Sequence, residues 1–332
     1  MKKFISLIIL ITIVILWVAY TKYSNFEDEI IVEDKMILKI ESWDNLKTLS
    51  KKIGANYYFL KKYINKSSPE FKLNIWSYDI KENSKIEDII NSLENPINDE
   101  VDITILEWWN IYDIDLILSS RWFISKWDYI SYVNSSEKIS KLSEFFPFVE
   151  NLETLEGFLY PDTYKISRIN FKVNNFVIKQ LETFEKKVYK KILVPMELTE
   201  KQVIDVINLA SIVEKEEKVS NRKSIVAGIL KKRFRENWFI GADATVCYPY
   251  KLTSEECKLV VSKYILDKND YNTRTKLGLP KTPISNPSAE TVKATLHDKK
   301  TPYYFYLHDK KWNIHYAITN NDHVRNKNKY LR

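Results

Sequence analysis

The sequence predicts an α+β protein in which an apolar N-terminal helix precedes two regions that each mix strands with helices. An uncharged run covers residues 4–20, a strand–helix–helix pattern covers residues 36–97, and a second strand–helix pattern begins near Val101. Hydrophobic residues make up 45% of the chain and glycine occurs only 5 times, which is typical of a folded protein. Four segments follow: an anchor at 1–21, a linker at 22–35, a small module at 36–97 and a main domain at 100–332.

The uncharged run at residues 4–20 is long enough to be a transmembrane helix. Its length lies at the lower limit for crossing a bilayer and exceeds the core of most signal peptides. Trp17 and Tyr20 suit an interfacial anchor, and no A-x-A cleavage pattern follows them. Because Lys2 and Lys3 precede the run, we expect the N-terminus in the cytoplasm and a single pass through the cytoplasmic (inner) membrane. A cleaved signal peptide, the alternative, would also place the main domain outside the cytoplasm.

The composition argues against nucleic acid and metal as partners. The 51 Lys and Arg residues stand against 44 Asp and Glu, so the net charge of +7 describes a mixed surface without an Arg-rich cluster. The 4 histidines are scattered near the C-terminus without ligand spacing, so we predict no metal and no cofactor. Cys247 and Cys257 could pair in an oxidising compartment, which the sequence leaves open.

Hydrophobic periodicity predicts the elements of both regions. In the small module, a strand at 36–40, helical spacing over 43–64, a strand at 71–80 and a short helix at 85–93 form an α+β unit. The main domain starts with a strand around Val101. Its further predicted elements are helices at 126–133, 173–192, 199–217, 220–234 and 288–296, and a hairpin at 302–307 and 312–318.

The helix that starts after Thr199 carries acidic residues in line with its apolar face. Thr199 and Gln202 form a capping-box pattern, and apolar residues follow Val203 at spacings of three and four. At about 100° per residue, Glu214 and Glu217 fall close to the direction of Val203. Glu216 points the opposite way, which predicts that it faces water. This helical phase therefore favours Glu214 and Glu217 as buried carboxyl groups.

A carboxyl group on an apolar helix face is costly unless it is paired or protonated. A glutamic acid whose pKa is raised by burial is the general acid that glycosidic cleavage needs. An ordinary salt bridge to a lysine explains Glu214 and Glu217 equally well, and helical phase does not separate the two residues. The loop at 155–164, which clusters aromatic and acidic residues, suits sugar binding or an aromatic-stapled turn.

The order of motifs resembles the MltG (YceG-like) family of endolytic murein transglycosylases. The matching segments are EGFLYPDTY at 156–164, LASIVEKE at 209–216, DATV at 243–246, YNTRTKLGLPKTPISNPS at 271–288, KTPYYFYL at 300–307 and HVRNKNKYL at 323–331. The resemblance covers most of residues 100–332 and, more weakly, the small module, which is LysM-like in that family. It implies a mixed α+β catalytic domain behind a LysM-like module.

The resemblance also implies the site residues. It assigns the catalytic carboxyl to the first glutamate of IVEKE, Glu214, in preference to Glu217. Four positions depart from the family pattern: Glu217 replaces a threonine, Gly241 a glutamine, Ala244 a proline and Trp108 a glycine. The matching motifs supply the expected substrate-binding residues Glu156, Tyr160, Asp162, Asp243, Thr245, Tyr271, Asn272, Thr273 and Asn286.

The implied activity is cleavage of the β-1,4 bond between N-acetylmuramic acid and N-acetylglucosamine, which leaves 1,6-anhydro ends and stops the growth of glycan strands. Peptidoglycan and peptidoglycan synthases are the expected partners. A catalytically silent, membrane-anchored peptidoglycan-binding scaffold is the main alternative. A hydrolase that pairs Glu214 with Asp162 or Asp243 is another. The transglycosylase interpretation requires the Glu214 carboxyl to lie in an open groove.

Overall fold

The computed structural model describes residues 2–97 and 100–331, with side chains from Leu7 onward. Contacts divide the chain into two compact units, Met1–Asp99 and Glu100–Arg332. Both units contain helices and strands, so the predicted mixture of the two is confirmed. In the described part of the chain the strands form three separate antiparallel pairs.

The first unit begins with the apolar helix α1, Lys2–Asp28. Its stretch Leu7–Asp28, 22 residues, is long and apolar enough to cross a membrane. The helix continues past residue 21, so residues 22–28, which were predicted to be linker, are helical. The reason is that Tyr23 and Phe26, three positions apart, pack their rings against Phe59 and are each only 4% exposed. Because the residues around Tyr23 and Phe26 are polar, the hydrophobic pattern of the sequence did not indicate that this segment is helical.

The rest of the first unit places two helices between two paired strands. Strand β1 (Met36–Lys39) runs antiparallel to β2 (Ser77–Ile80), with Met36 opposite Ile80. Helices α2 (Leu46–Lys52) and α3 (Tyr57–Ser67) lie between them in the chain, and α4 (Ile86–Ser92) follows. Asn45 and Asn56 cap α2 and α3 with their side-chain oxygens. The core of the unit includes Leu38, Leu49, Leu60, Tyr78, Ile80 and Ile89.

The second unit contains four strands and ten α-helices among its described residues. In chain order they are β3 (Glu100–Thr104), α5 (Ile111–Ser120), α6 (Asp128–Val133), α7 (Ser136–Ser143), β4 (Thr163–Ser167), α8 (Val173–Phe184), α9 (Glu200–Glu216), α10 (Ser220–Arg235), α11 (Ala244–Cys247), α12 (Ser254–Tyr264), α13 (Ala289–Leu296), β5 (Phe305–His308), β6 (Ile314–Ala317) and α14 (Asn320–Tyr330). A π-helical segment, Glu185–Leu193, extends α8.

Two antiparallel strand pairs frame this unit. Strand β3 pairs with β4, so Ile103 lies opposite Tyr164. The sequence analysis did not predict β4, because a turn was assigned immediately before it. Strands β5 and β6 form the expected C-terminal hairpin. A disulfide joins Cys247 to Cys257 and so links α11 to α12, which settles the pairing that the sequence left open.

Helix α9 lies between two hydrophobic cores and is buried on most of its sides. One core contains Ile207 and Ala210 of α9, and the other contains Leu209, Ile212 and Val213. The predicted capping box is present, since Thr199 N–H donates to Gln202 Oε1 (2.9 Å) and Gln202 N–H donates to Thr199 Oγ1 (3.3 Å). Every residue from Ile207 to Glu214 is buried. Charged side chains at the end of α9 therefore need partners or a cleft.

Candidate active site

The end of α9 borders a cleft made of two adjoining pockets. The first, which we name the α12 pocket, has a volume of about 250 Å³ and lies between α9, α11 and α12. The second, the hairpin pocket, has a volume of about 740 Å³ and lies beside β5 and α14. Glu216 and Asp243 line both pockets. The two acidic side chains therefore lie where the pockets meet. An extended ligand that occupied both pockets would pass beside them.

Glu216 is the glutamate of α9 that lines both pockets. Tyr306 Oη donates to Glu216 Oε2 (2.8 Å), and within the described chain this is the one hydrogen bond that the carboxyl accepts. Burial raises the pKa of the Glu216 carboxyl, the Tyr306 bond lowers it, and the negative charge of Asp243 raises it further. The net shift is upward. Glu216, which was predicted to face water, is half-buried at the cleft, because Tyr306 of the β5–β6 hairpin contacts this side of α9.

Asp243 holds the second carboxyl group at the junction of the pockets. It pairs with the guanidinium of Arg274 through Oδ1, and its side chain remains 54% exposed. Arg233 also lines the hairpin pocket and donates to the carbonyl oxygens of Tyr304 and Ile240. Of the nine predicted substrate-binding residues, Asp243 is the one that lies in the cleft with an exposed carboxylate.

Glu214, the predicted catalytic residue, is committed to a buried ion pair. Its Oε1 lies 2.6 Å from Lys223 Nζ, and its Oε2 accepts from the backbone N–H (2.8 Å) and the hydroxyl (2.9 Å) of Ser288. The Glu214 and Lys223 side chains are 5% and 6% exposed. Glu214 borders the α12 pocket, but in this structure its carboxyl is held by Lys223 and Ser288 and little of it is exposed. The salt bridge to a lysine, the alternative from the sequence, is the arrangement found.

Glu217 has its own partners below the cleft. The residue ends α9 in an extended conformation and is fully buried. Its carboxyl accepts from Val219 N–H (2.8 Å) and lies 3.1 Å from His308 Nε2. Burial by itself would raise the pKa of this carboxyl, but the bonds from His308 and Val219 hold it below its usual value. Glu217 is thus a structural anion between α9 and the hairpin.

Glu156 and Asn286, both predicted to bind substrate, hold the interior of the second unit together. Both side chains are 0% exposed. Glu156 accepts from Asn286 Nδ2 (2.7 Å), Ile111 N–H (2.9 Å) and Tyr248 Oη (3.0 Å). Burial raises the pKa of Glu156 to about 8, although the bonds from Ile111 and Tyr248 favour the ionised form. Direct contact of either side chain with a glycan would require it to leave these partners.

Three more predicted residues are equally enclosed. Thr245 and Thr273 bond to each other through their hydroxyls (2.9 Å), and Thr273 also accepts from Ala242 N–H (3.1 Å). Asn272 donates to the carbonyl oxygens of Ile265 and Asp267. All three predicted side chains are 0% exposed. They brace the backbone around Asp243 from behind and do not line the cleft.

The remaining predicted residues lie away from the junction of the pockets. Tyr160 is 8% exposed, and its hydroxyl accepts from Ala289 N–H. Asp162 forms an ion pair with Lys187 (2.6 Å). Tyr271 packs its ring against Tyr248 and bonds Thr282 Oγ1 (3.0 Å). None of the three is among the residues lining the two pockets.

The structure adds side chains that the sequence analysis did not select. Lys215 lines the α12 pocket and donates to Ser254 Oγ (2.8 Å), which in turn donates to Asp113 (2.7 Å). Burial lowers the pKa of the Lys215 ammonium. Tyr306 lies in the segment KTPYYFYL, so its motif was recognised but its contact with α9 was not. Among the described residues no group of three or more His, Cys, Asp or Glu side chains could hold a metal ion.

Comparison with known proteins places the chain in a family. The family model described as "YceG-like family" matches residues 41–329. The endolytic murein transglycosylase of Bacillus subtilis is 25% identical over 240 residues, covering 69% of this chain and 65% of the relative. That of Streptococcus pneumoniae strain D39 is 22% identical over 300 residues, covering 83% of this chain and 53% of the relative. This chain thus spans roughly half to two thirds of those curated relatives.

A solved structure agrees with this placement. A YceG-like protein from Listeria monocytogenes superimposes with a TM-score of 0.58 at 19% identity, over 88% of this chain and 99% of that one. At this identity the likeness concerns the fold alone. Because the family model covers most of the chain, including the whole second unit up to residue 329, the chain belongs to the YceG-like family.

Proposed function

We propose that this protein is a membrane-anchored lytic transglycosylase that cleaves peptidoglycan glycan strands. The names of the curated relatives support this activity. The single observation that carries the proposal is the Glu216 carboxyl, whose pKa is raised by burial and which stands at the junction of two pockets. A protonated carboxylic acid in such a cleft is what the departure of a glycosidic oxygen requires.

The proposed reaction uses one carboxyl group twice. Protonated Glu216 donates its proton to the oxygen that joins N-acetylmuramic acid to N-acetylglucosamine, and the bond from muramic C1 to that oxygen breaks. The C6 hydroxyl of the same muramic residue attacks C1, and the Glu216 carboxylate accepts its proton. Glu216 is thereby restored, no water is consumed, and the products are a 1,6-anhydro end and a free 4-hydroxyl group. Intramolecular attack gains from proximity, so a second catalytic carboxyl as nucleophile is unnecessary.

Asp243 and Tyr306 have supporting roles in this proposal. Asp243, held by Arg274, would place negative charge near the positive charge that develops at C1. Tyr306 orients the Glu216 carboxyl through Oε2, and Oε1, which accepts no hydrogen bond in the described part of the chain, would hold the proton that is transferred. The enclosed residues Glu156, Asn272, Thr245, Thr273 and Asn286 then act as positioning residues for the walls of the cleft.

The proposal extends to where the protein works. Helix α1 would anchor the chain in the cytoplasmic membrane with the second unit outside the cytoplasm, where glycan strands are polymerised. Cleavage beside the membrane would end the growth of a strand, and the synthases that make strands would be its neighbours. The first unit, in which β1, α2, α3 and β2 follow one another in the chain, would act as a LysM-like glycan-binding module.

Digestion of purified glycan strands by the full-length chain in detergent, followed by mass spectrometry, tests the activity. We expect products with 1,6-anhydro ends, which lack one water relative to hydrolysis products. Reducing ends would instead identify a hydrolase. Binding to strands without any change in their length would identify the silent scaffold.

The rate should fall as the pH rises through the raised pKa of Glu216, because the general acid must be protonated. The acidic residue Asp243 raises this pKa, and the Tyr306 hydrogen bond lowers it. We therefore expect Asp243→Asn to move the alkaline limb of the kcat/KM profile to lower pH and Tyr306→Phe to move it to higher pH. Shifts in the same direction, or no shift, would contradict the assignment of Glu216.

A further inference from the structure

The hairpin pocket gathers more positive charge than the mechanism uses. Arg233 of α10, Arg274 of the loop between α12 and α13 and Lys327 of α14 all line it, together with Glu216 and Asp243. Arg274 is paired with Asp243. With Glu216 protonated, as the general acid must be, the three cations face one carboxylate. The pocket then carries a net positive charge at the moment it receives substrate.

Arg233 is fixed so that part of its guanidinium stays available. Its Nε donates to Tyr304 O (2.7 Å) and its Nη1 donates to Ile240 O. Nη2 has no hydrogen-bond partner within residues 100–331. A guanidinium held this way is preorganised to bind an anion with little loss of side-chain entropy.

The α14 side of the pocket adds a second available cation. Lys327 is exposed, and in the described part of the chain its ammonium has neither a hydrogen bond nor an ion pair. His323, one turn earlier, stacks on Phe305 at 5.2 Å. Burial lowers the pKa of His323, and the charges of Lys327 and Arg233 lower it further. Lys327 and Arg233 therefore both act on the same end of the pocket.

Aromatic rings flank these cations. Trp238 packs against Tyr304 with ring centroids 4.8 Å apart and is 45% exposed, and the neighbouring Phe239 is 49% exposed. Exposed rings of this kind offer an apolar surface to the face of a sugar, while arginine forks match the geometry of a carboxylate. A ligand that carries both a sugar ring and a carboxylate fits this combination.

We propose that the hairpin pocket is a subsite for a carboxylate attached to the glycan through the 3-O-lactyl group of muramic acid, with Arg233 and Lys327 as its binding groups. This inference rests on the proposed function. The carboxylate belongs either to the stem peptide or, where the peptide has been removed, to the lactyl group itself. In both cases the carboxylate is attached to the muramic acid that reacts. The subsite would therefore select strands by whether their muramic acid residues carry such a carboxylate.

Three glycan preparations test the subsite with the full-length chain in detergent. The first carries stem peptides, the second has been stripped of them by an amidase and keeps free lactyl carboxylates, and the third is the stripped strand with those carboxylates converted to methylamides. Equilibrium binding and the kinetics of release of anhydro ends are measured for each. Lys327→Glu is compared with Lys329→Glu, the same charge change on the same helix but outside both pockets.

We expect the wild type to bind the methylamide strands about five- to tenfold more weakly than carboxylate-bearing strands. Lys327→Glu should raise KM for carboxylate-bearing strands by a similar factor with kcat little changed, whereas Lys329→Glu should not. Preference for the first preparation over the second identifies the stem peptide as the source of the carboxylate, preference for the second identifies the lactyl group, and equal use of both shows that either carboxylate fills the subsite.

Equal wild-type affinity for all three preparations, or equal effects of the two lysine variants, would overturn the subsite even if anhydro ends form. Carboxylate-dependent binding without any anhydro product would leave the subsite standing and refute the transglycosylase activity. The binding and product measurements therefore separate the two proposals.

Discussion

Glu216→Gln is expected to reduce the yield of anhydro-ended products by about 10²- to 10⁴-fold, the usual contribution of a general acid–base group. Glutamine keeps the size of the side chain and can accept the bond from Tyr306, but it cannot deliver a proton. Because Tyr306 is the one partner of this carboxyl in the described chain, folding should be little affected. The measurement is the rate of anhydro-end formation, with thermal unfolding recorded on the same sample.

The control must separate Glu216 from Glu214, the residue that the sequence favoured. Glu214→Gln alone would leave the Lys223 ammonium buried without its anion, so a loss of activity could reflect misfolding. In the double variant Glu214→Gln with Lys223→Met both charges are gone, and the glutamine oxygen can still accept from Ser288. We expect this folded double variant to form anhydro ends at a rate far above that of Glu216→Gln. The reverse order of activities would return the catalytic role to Glu214.

Lys223→Met is expected to have the largest effect on stability, a loss of about 3–5 kcal/mol in the free energy of unfolding. The Lys223 ammonium contacts Glu214 Oε1 (2.6 Å) and Thr291 Oγ1 (2.7 Å), and both charged side chains are almost fully buried. Removing the cation strands a carboxylate in a low-dielectric interior. Chemical denaturation of the full-length chain, monitored through the transition of the second unit, measures the loss.

The stability of the double variant Glu214→Gln with Lys223→Met is compared with that of Lys223→Met alone. Replacement of both members of a buried ion pair is often close to neutral, since the desolvation cost disappears together with the attraction. The double variant should therefore unfold at a denaturant concentration nearer to that of the wild type. Lys201→Met provides a surface reference, because its bond to Asp205 lies on an exposed part of α9 and should contribute less than about 1 kcal/mol. Equal losses for Lys223→Met and Lys201→Met would contradict the buried pair.

Local sequence signals predicted the elements that depend on neighbouring residues. The Thr199 capping box begins α9, the Ser288 side chain caps α13, and the C-terminal hairpin forms where alternation indicated. Local sequence signals did not predict the secondary structure of segments that depend on contacts with residues distant in the chain. Strand β4 exists because β3, about 60 residues earlier, pairs with it. Residues 22–28 are helical because Tyr23 and Phe26 find Phe59 in the folded unit.

The order of motifs by itself identified the family and assigned the catalytic role to Glu214. The partners that each glutamate of α9 meets were decided by tertiary structure. Helical phase gives the angle of a side chain around its own helix, but not what packs against each side. Glu214 turns toward Lys223 of α10, whereas Glu216 meets Tyr306, 90 residues later in the chain. The hairpin that carries Tyr306 turns a face that looked solvated into the wall of a pocket.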